Sequence, residues 1–135
     1  IIEIAEEFTS VMNEIVASET SAIKKIERVI QLHIDITLRD SNALACLHNE
    51  WMHLTDSDLT YFVKMREDYE ENFRTIVKKG VDDGEIKNLN LEVIIFSTLS
   101  TLRTLYLWYG KKTSPNPAVL KSNMIDVLLN GIVLS

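Results

Sequence analysis

Apolar residues recur along nearly the whole chain at intervals of three and four, and no stretch alternates long enough to make a strand, so the pattern predicts an all-α fold. In the first segment Ile1, Ile4, Ala5, Phe8, Val11, Met12, Ile15 and Val16 form one stripe, which the stretch ASETSA interrupts near Ala17. Thr20 or Ser21 then caps a second helix. Its apolar face carries Ala22, Ile23, Ile26, Val29, Ile30, His33, Ile36 and Thr37, and its other face is charged. RDSNA punctuates the chain from Arg39 to Ala43, after which Leu44, Leu47, Trp51 and Leu54 mark a short third helix. TDSD stops that helix and supplies caps for the longest one, where Leu59, Phe62, Arg66, Tyr69, Phe73, Ile76 and Gly80 step toward DDGE, with Gly84 at the terminus. Gly80 lies on this stripe, which predicts a close crossing by another helix. Asn90 caps a fifth helix running to Tyr109, and Asn116 with Pro117 at the first helical position opens a sixth that ends near Val133.

The last two helices carry more apolar surface than one neighbour covers. On the fifth, Leu91, Ile94, Ile95, Leu99, Leu102, Leu105 and Tyr106 share a broad face, while Val93, Phe96, Leu107 and Trp108 lie elsewhere around it. On the sixth, Leu120, Met124, Ile125, Val127, Leu128, Leu129 and Ile132 span an arc wider than the ~100° stripe of a surface helix. Each therefore needs two partners. The same pair from a second copy meets that need most simply, which predicts a homodimer joined by a four-helix contact, with Leu99, Leu102, Met124 and Leu128 in the interface; the alternative is that these helices are buried centrally in a monomer.

Composition narrows the function. The 135 residues suit one domain, and 14 basic against 20 acidic side chains give a net charge of −6 with no basic run, so the segment has no electrostatic footprint for holding DNA by itself. Apolar runs fall far short of the ~20 residues that span a bilayer, which predicts no membrane partner. The single cysteine, Cys46, forms no internal disulfide, suits the cytoplasm and is expected as a small core residue. The chain opens at Ile1 without an initiator methionine, which predicts a preceding segment.

Candidate chemistry is sparse. Arg66 falls inside an apolar stripe, where a guanidinium must be partnered; it is either an anchor for a ligand's carboxylate or phosphate, or half of an ion pair with Asp35, Glu50 or Glu70. His33, centred on the apolar face of the second helix, is a core histidine or a ligand contact. Glu50 and His53 have the Glu-x-x-His spacing of di-iron bundles, but the motif occurs once and those sites need two, so no metal or cofactor is expected. Cys46 lacks a partner for a nucleophilic dyad, and no phosphate-binding loop or Gly-x-Ser-x-Gly turn occurs, so the chain is not read as an enzyme.

The run REDYEENFRTIVKKGVDDGEI, a helix ending LYLWYG, the turn SPNPAVL and then VLLNGI together resemble the C-terminal regulatory domain of the TetR family of bacterial transcriptional repressors. The likeness is greatest to members with fatty-acid or acyl-CoA effectors and extends from Arg66 to Ile132. It implies a six-helix bundle that binds an effector and dimerises, preceded by a three-helix DNA-binding module outside this chain. It also implies that the core between the first five helices is partly hollow. A small hydrophobic or amphiphilic effector would then lie among Phe8, Met12, Ile30, His33, Trp51, Phe62, Met65 and Tyr106, with its anionic head at Arg66 or Arg103. Arg103 departs from the neutral polar residue usual there in similar sequences. The rival readings are a solid helical module that binds another protein, and a helical metalloenzyme.

Overall fold

The computed structural model describes residues 1–110 and 114–134. It contains six principal helices: α1 (Ile2–Ala17), α2 (Ala22–Arg39), α3 (Ser41–Glu50), α4 (Asp56–Asp82), α5 (Leu91–Arg103) and α7 (Pro117–Asn130). A single four-residue turn, α6 (Leu105–Trp108), follows α5, and a 3₁₀ turn at Trp51–His53 joins α3 to α4. Paired extended backbone among the described residues is confined to one isolated antiparallel bridge, Ile86 to Val133. The all-α bundle expected from the apolar spacing is the fold observed.

Side-chain caps set most helix starts. Ser21 Oγ accepts from the Lys24 amide at 3.2 Å, Asp40 Oδ1 from Ala43 at 3.0 Å, Asn90 Oδ1 from Val93 at 3.1 Å and Asn116 Oδ1 from Val119 at 3.0 Å, each satisfying an amide left over at a helix N-terminus. Thr55 precedes α4 without such a bond, and Asp56 and Asp58 place negative charge in its first turn instead. At the other end Gly84 takes φ +79, which lets the amides of Glu85 and Ile86 fold back onto the Gly80 carbonyl at 2.9 and 3.1 Å.

Two boundaries differ from the sequence pattern. The fifth helix does not continue to Tyr109: it breaks at Thr104 (φ −103, ψ 0), where the Thr104 hydroxyl bonds the carbonyls of Ser100 and Thr101 and Thr101 bonds that of Ser97, a competition that unsettles helical backbone. The sixth ends at Asn130 rather than near Val133, because the next residues pair with the segment after α4: Lys87 N donates to the Ile132 carbonyl at 2.8 Å and Leu134 N to that of Glu85 at 3.0 Å. The connection between these helices includes Lys111–Thr113, outside the described residues.

The main core gathers Met12, Ile15, Ile26, Val29, Ile30, Ile34, Phe73 and Val77, each no more than 1% exposed, with Ile94, Ile95, Leu99, Leu102, Leu120 and Leu129 closing it from α5 and α7. The close approach expected at Gly80 is present: a Cβ there would lie 2.9 Å from Ala22 Cβ at the start of α2, and it would also run into Ile86. A smaller cluster, Ala5, Leu47, Phe62 and Met65 with Trp51 and Leu54 at its edge, occupies the opposite end of α4. Cys46 is exposed, not core, because α3 turns Leu44 and Leu47 inward and leaves it on the outer side.

Candidate functional site

The smaller cluster is not filled. A cavity of about 140 Å³ opens there, lined by Ala5, Phe8 and Thr9 of α1, His33 of α2, Leu47 and His48 of α3, Trp51, Phe62, Met65, Arg66 and Tyr69 of α4 and its approach, and Arg103 of α5. Seven of the residues expected at an effector site meet here: Phe8, His33, Trp51, Phe62, Met65, Arg66 and Arg103. Three do not line it. Met12 and Ile30 are 0% exposed in the solid core, since the turn of helix that carries each packs against Phe73 and its neighbours and not against the gap. Tyr106 stands behind the wall, its ring stacked on His48 at 5.3 Å and 17°.

The inner wall is polar but self-satisfied. His33 Nε2 and Tyr69 Oη are 2.6 Å apart, both side chains are buried, and the Phe8 ring lies 4.7 Å from the imidazole. Burial, then the positive charge of Arg103, pushes His33 down to about 3, and burial pushes Tyr69 up, so both are neutral at pH 7. The Thr9 hydroxyl donates to the Ala5 carbonyl at 2.8 Å. Among the described residues no buried side-chain nitrogen or oxygen lacks a partner. A stacked pair, Trp51 and Phe62 with ring centroids 5.6 Å apart, forms a second wall.

The mouth is cationic. Arg103 Nη1 donates to Glu70 Oε1 at 2.9 Å, while Arg66 Nε is 3.8 Å from the same oxygen and its guanidinium sits 5.5 Å over the Trp51 ring. Arg66 is thus not the desolvated charge that its place in the stripe suggests: its side chain is 45% exposed, as a long side chain allows. Of the three candidate partners Glu70 is the one it meets; Asp35 pairs with Lys121 at 2.6 Å and Glu50 with His53 at 3.7 Å. His48, pushed down to about 4 by burial and by Arg103 and Arg66, adds a neutral ring at this edge. Glu50 and His53 are exposed, and among the described residues no three potential ligands cluster closely enough to hold a metal ion.

Sequence reasoning missed Ala5, Thr9, Leu47, His48 and Tyr69. The His33–Tyr69 pair had a legible signal, since two polar side chains on inward stripes must find partners and each is the other's nearest choice. His48 had none, because its burial depends on Tyr106 arriving from beyond the break in α5. The expected interface residues also need correction: Leu99 and Leu102 are each 2% exposed in the chain's own core and have no surface left for a second copy. Met124 and Leu128 are half-buried against that core. The large outward apolar residues on these helices are Val93, Phe96, Leu107 and Trp108 on α5 and α6, and Val119 and Val127 on α7, with Phe96 71% and Val127 72% exposed.

Comparison with known proteins gives the family to which this helical bundle and its small cavity belong. Residues 19–132 match the family described as "Tetracyclin repressor-like, C-terminal domain", and the chain belongs to it. Among solved structures, the ketosteroid transcriptional regulator KstR2 of Mycobacterium tuberculosis superposes with a TM-score of 0.87 over 97% of this chain and 68% of its own, at 11% identity. FadR of Bacillus subtilis, a transcriptional regulator in complex with stearoyl-CoA, gives 0.74 over 96% and 71% at 20% identity. AibR, in complex with isovaleryl coenzyme A and operator DNA, gives 0.77 over 95% and 72% at 15% identity. At these identities the likeness establishes the fold. No curated protein matches the sequence.

Proposed function

We propose that this chain is the effector-sensing and dimerising part of a transcriptional repressor, taking up a small amphiphilic molecule of acyl type in the cavity enclosed by α1, α2, α3, α4 and α5. The observation that carries the reading is the unfilled cavity itself, with largely apolar walls whose polar groups are already paired and two guanidiniums at its rim, which a solid interaction module would not retain. Solved relatives of this fold hold stearoyl-CoA and isovaleryl coenzyme A, which supports an acyl ligand. The reading involves no catalysis: His33 is held down and Tyr69 up, the reverse of what an activated base and nucleophile require. DNA is contacted by a helix-turn-helix module outside this segment. The effector acts by binding one spacing of two such modules better than another.

That mechanism needs two copies, and the exposed Val93, Phe96, Leu107 and Val127 supply the face on which they meet. Sedimentation is expected to show a dimer at micromolar concentration, with the unfolding midpoint raised by acyl ligands that bind only the folded state. Phe96→Asp should yield a monomer, since a carboxylate would be desolvated in the contact. A wild-type monomer that no acyl compound stabilises would overturn the proposal.

A further inference from the structure

The shape and charge of the cavity say more about its occupant. Resting on the sensing role proposed above, we infer that the effector is an anion with a short tail: an apolar group of about four to six carbons, branched or cyclic, fills the cavity, while a carboxylate or phosphate stays outside between Arg66 and Arg103.

The tail length follows from volume and from what closes the cavity. The 140 Å³ available is close to the ~150 Å³ apolar cavity that takes up benzene and well below the ~300–1,000 Å³ of pockets for larger ligands. Beyond the inner wall the chain is solid, with Met12 and Ile30 0% exposed, so a longer tail has no channel to follow. The wall also selects an apolar tail: the His33–Tyr69 and Thr9–Ala5 hydrogen bonds already satisfy those groups, leaving a polar tail nothing to replace the water it loses.

The head follows from the rim. Two guanidiniums share one carboxylate there, and both contacts fall on the same Glu70 oxygen, so one positive charge is unbalanced locally. Arg66 is the freer of the two, holding Glu70 only at 3.8 Å with its side chain 45% exposed, and its planar fork is suited to a carboxylate or phosphate at the cavity's edge. Trp51 lies beneath it, its ring centroid 5.5 Å from the guanidinium carbon.

Calorimetric titration of the chain with carboxylates from acetate to stearate, and with the matching coenzyme A thioesters, tests both halves. Affinity should rise about fourfold per methylene and then level or fall beyond about six carbons, with isovalerate- and benzoate-sized tails among the best. Arg66→Met should weaken anionic members about tenfold to a hundredfold and leave the neutral amide of the same tail unchanged. Ala5→Leu, which fills part of the cavity, should shorten the preferred tail; if that variant does not fold, Phe62→Leu should lengthen it. Tight binding of the free acids makes the carboxylate the head and supports the inference; binding of the thioesters alone would overturn a head held at the rim, because the pantetheine arm carries their phosphates far from the acyl group. Affinity that keeps rising through palmitate would overturn the short tail, and equal binding of acid and amide would overturn the anionic head, both leaving the sensing role intact. Binding by no member of either series would overturn the sensing role as well.

Discussion

Along α4, Phe73, Ile76, Val77 and Gly80 press into solid material, whereas Phe62, Met65 and Tyr69 on the same stripe border empty space. What differs is what stands opposite. The later half of α4 meets Ala22, Ile86, Ile26 and Ile30, and Gly80 lets α2 approach until there is no room for a methyl group. The earlier half faces Ala5 and Thr9, short side chains that do not reach across, and a histidine that is occupied with Tyr69. An apolar repeat decides which face turns inward; the partner's side-chain volume decides whether anything fills the space.

The largest test of that contrast removes a ring from each half. Phe73→Ala should cost about 3–5 kcal/mol, the loss of a fully enclosed aromatic together with the cavity it leaves. Phe62→Ala should cost at least about 1 kcal/mol less, because one side of that ring already faces a gap and has fewer contacts to lose. Chemical denaturation of the two variants measures the difference. Equal losses would mean that the earlier half is as tightly packed as the later one.

Acid should find the hollow end first. His33 is pushed down to about 3 from the ordinary 6.5, so between those values the unfolded chain binds a proton that the folded chain refuses. Stability is therefore fully present above pH 6.5 and falls as the pH drops toward 3. From pH 6.5 to 4.5 the loss amounts to about 2–3 kcal/mol from this residue, and His48, pushed down to about 4, adds a smaller share in the same direction. Carboxylates held low by their partners, Glu7 beside Arg39 and Glu92 beside Arg74, contribute only at more acid pH. His33→Gln should flatten the slope of the unfolding midpoint between pH 6.5 and 4.5, and a slope unchanged by it would show that the imidazole is not kept neutral by the fold.

The same contrast explains what is legible in the amino-acid sequence. Helix count and the caps at Ser21, Asn90 and Asn116 follow from local rules, because each depends on residues within a turn or two, and the crossing at Gly80 was signalled by a glycine on an apolar stripe. Most of the cavity's walls were legible as well, since large inward residues on α1, α2 and α4 have to face one another. Its depth was not: Met12 and Ile30 look like Phe8 and His33 on a helical wheel, and only the packing of the third dimension separates a filled layer from an empty one. The face of α5 was misread for a related reason. Leu99 and Leu102 are the most apolar choice for a contact, and for that reason the chain's own core claims them, leaving Phe96 and Val93 outside. Arg66 shows the complementary error, because a stripe position fixes where Cα lies and not how far a long side chain extends from it.

The smallest effect comes from two alanines of nearly equal burial, Ala22 at 6% and Ala5 at 7% exposure. Exposure alone predicts the same response to enlargement, but their surroundings predict opposite ones. Ala22 is wedged against the Gly80 position, so Ala22→Leu must push α2 off α4 or force side chains out of their rotamers, a cost of about 1–3 kcal/mol. Ala5 borders the 140 Å³ gap, so the added carbons of Ala5→Leu enter vacant space and gain contacts instead of displacing them. Stability should then stay within about 0.5 kcal/mol of the parent or rise slightly, as cavity-filling substitutions do. Thermal unfolding of both variants without ligand decides the matter: a loss at Ala5 as large as that at Ala22 would mean that the space beside it closes in solution, and the two ends of the bundle would then be packed alike.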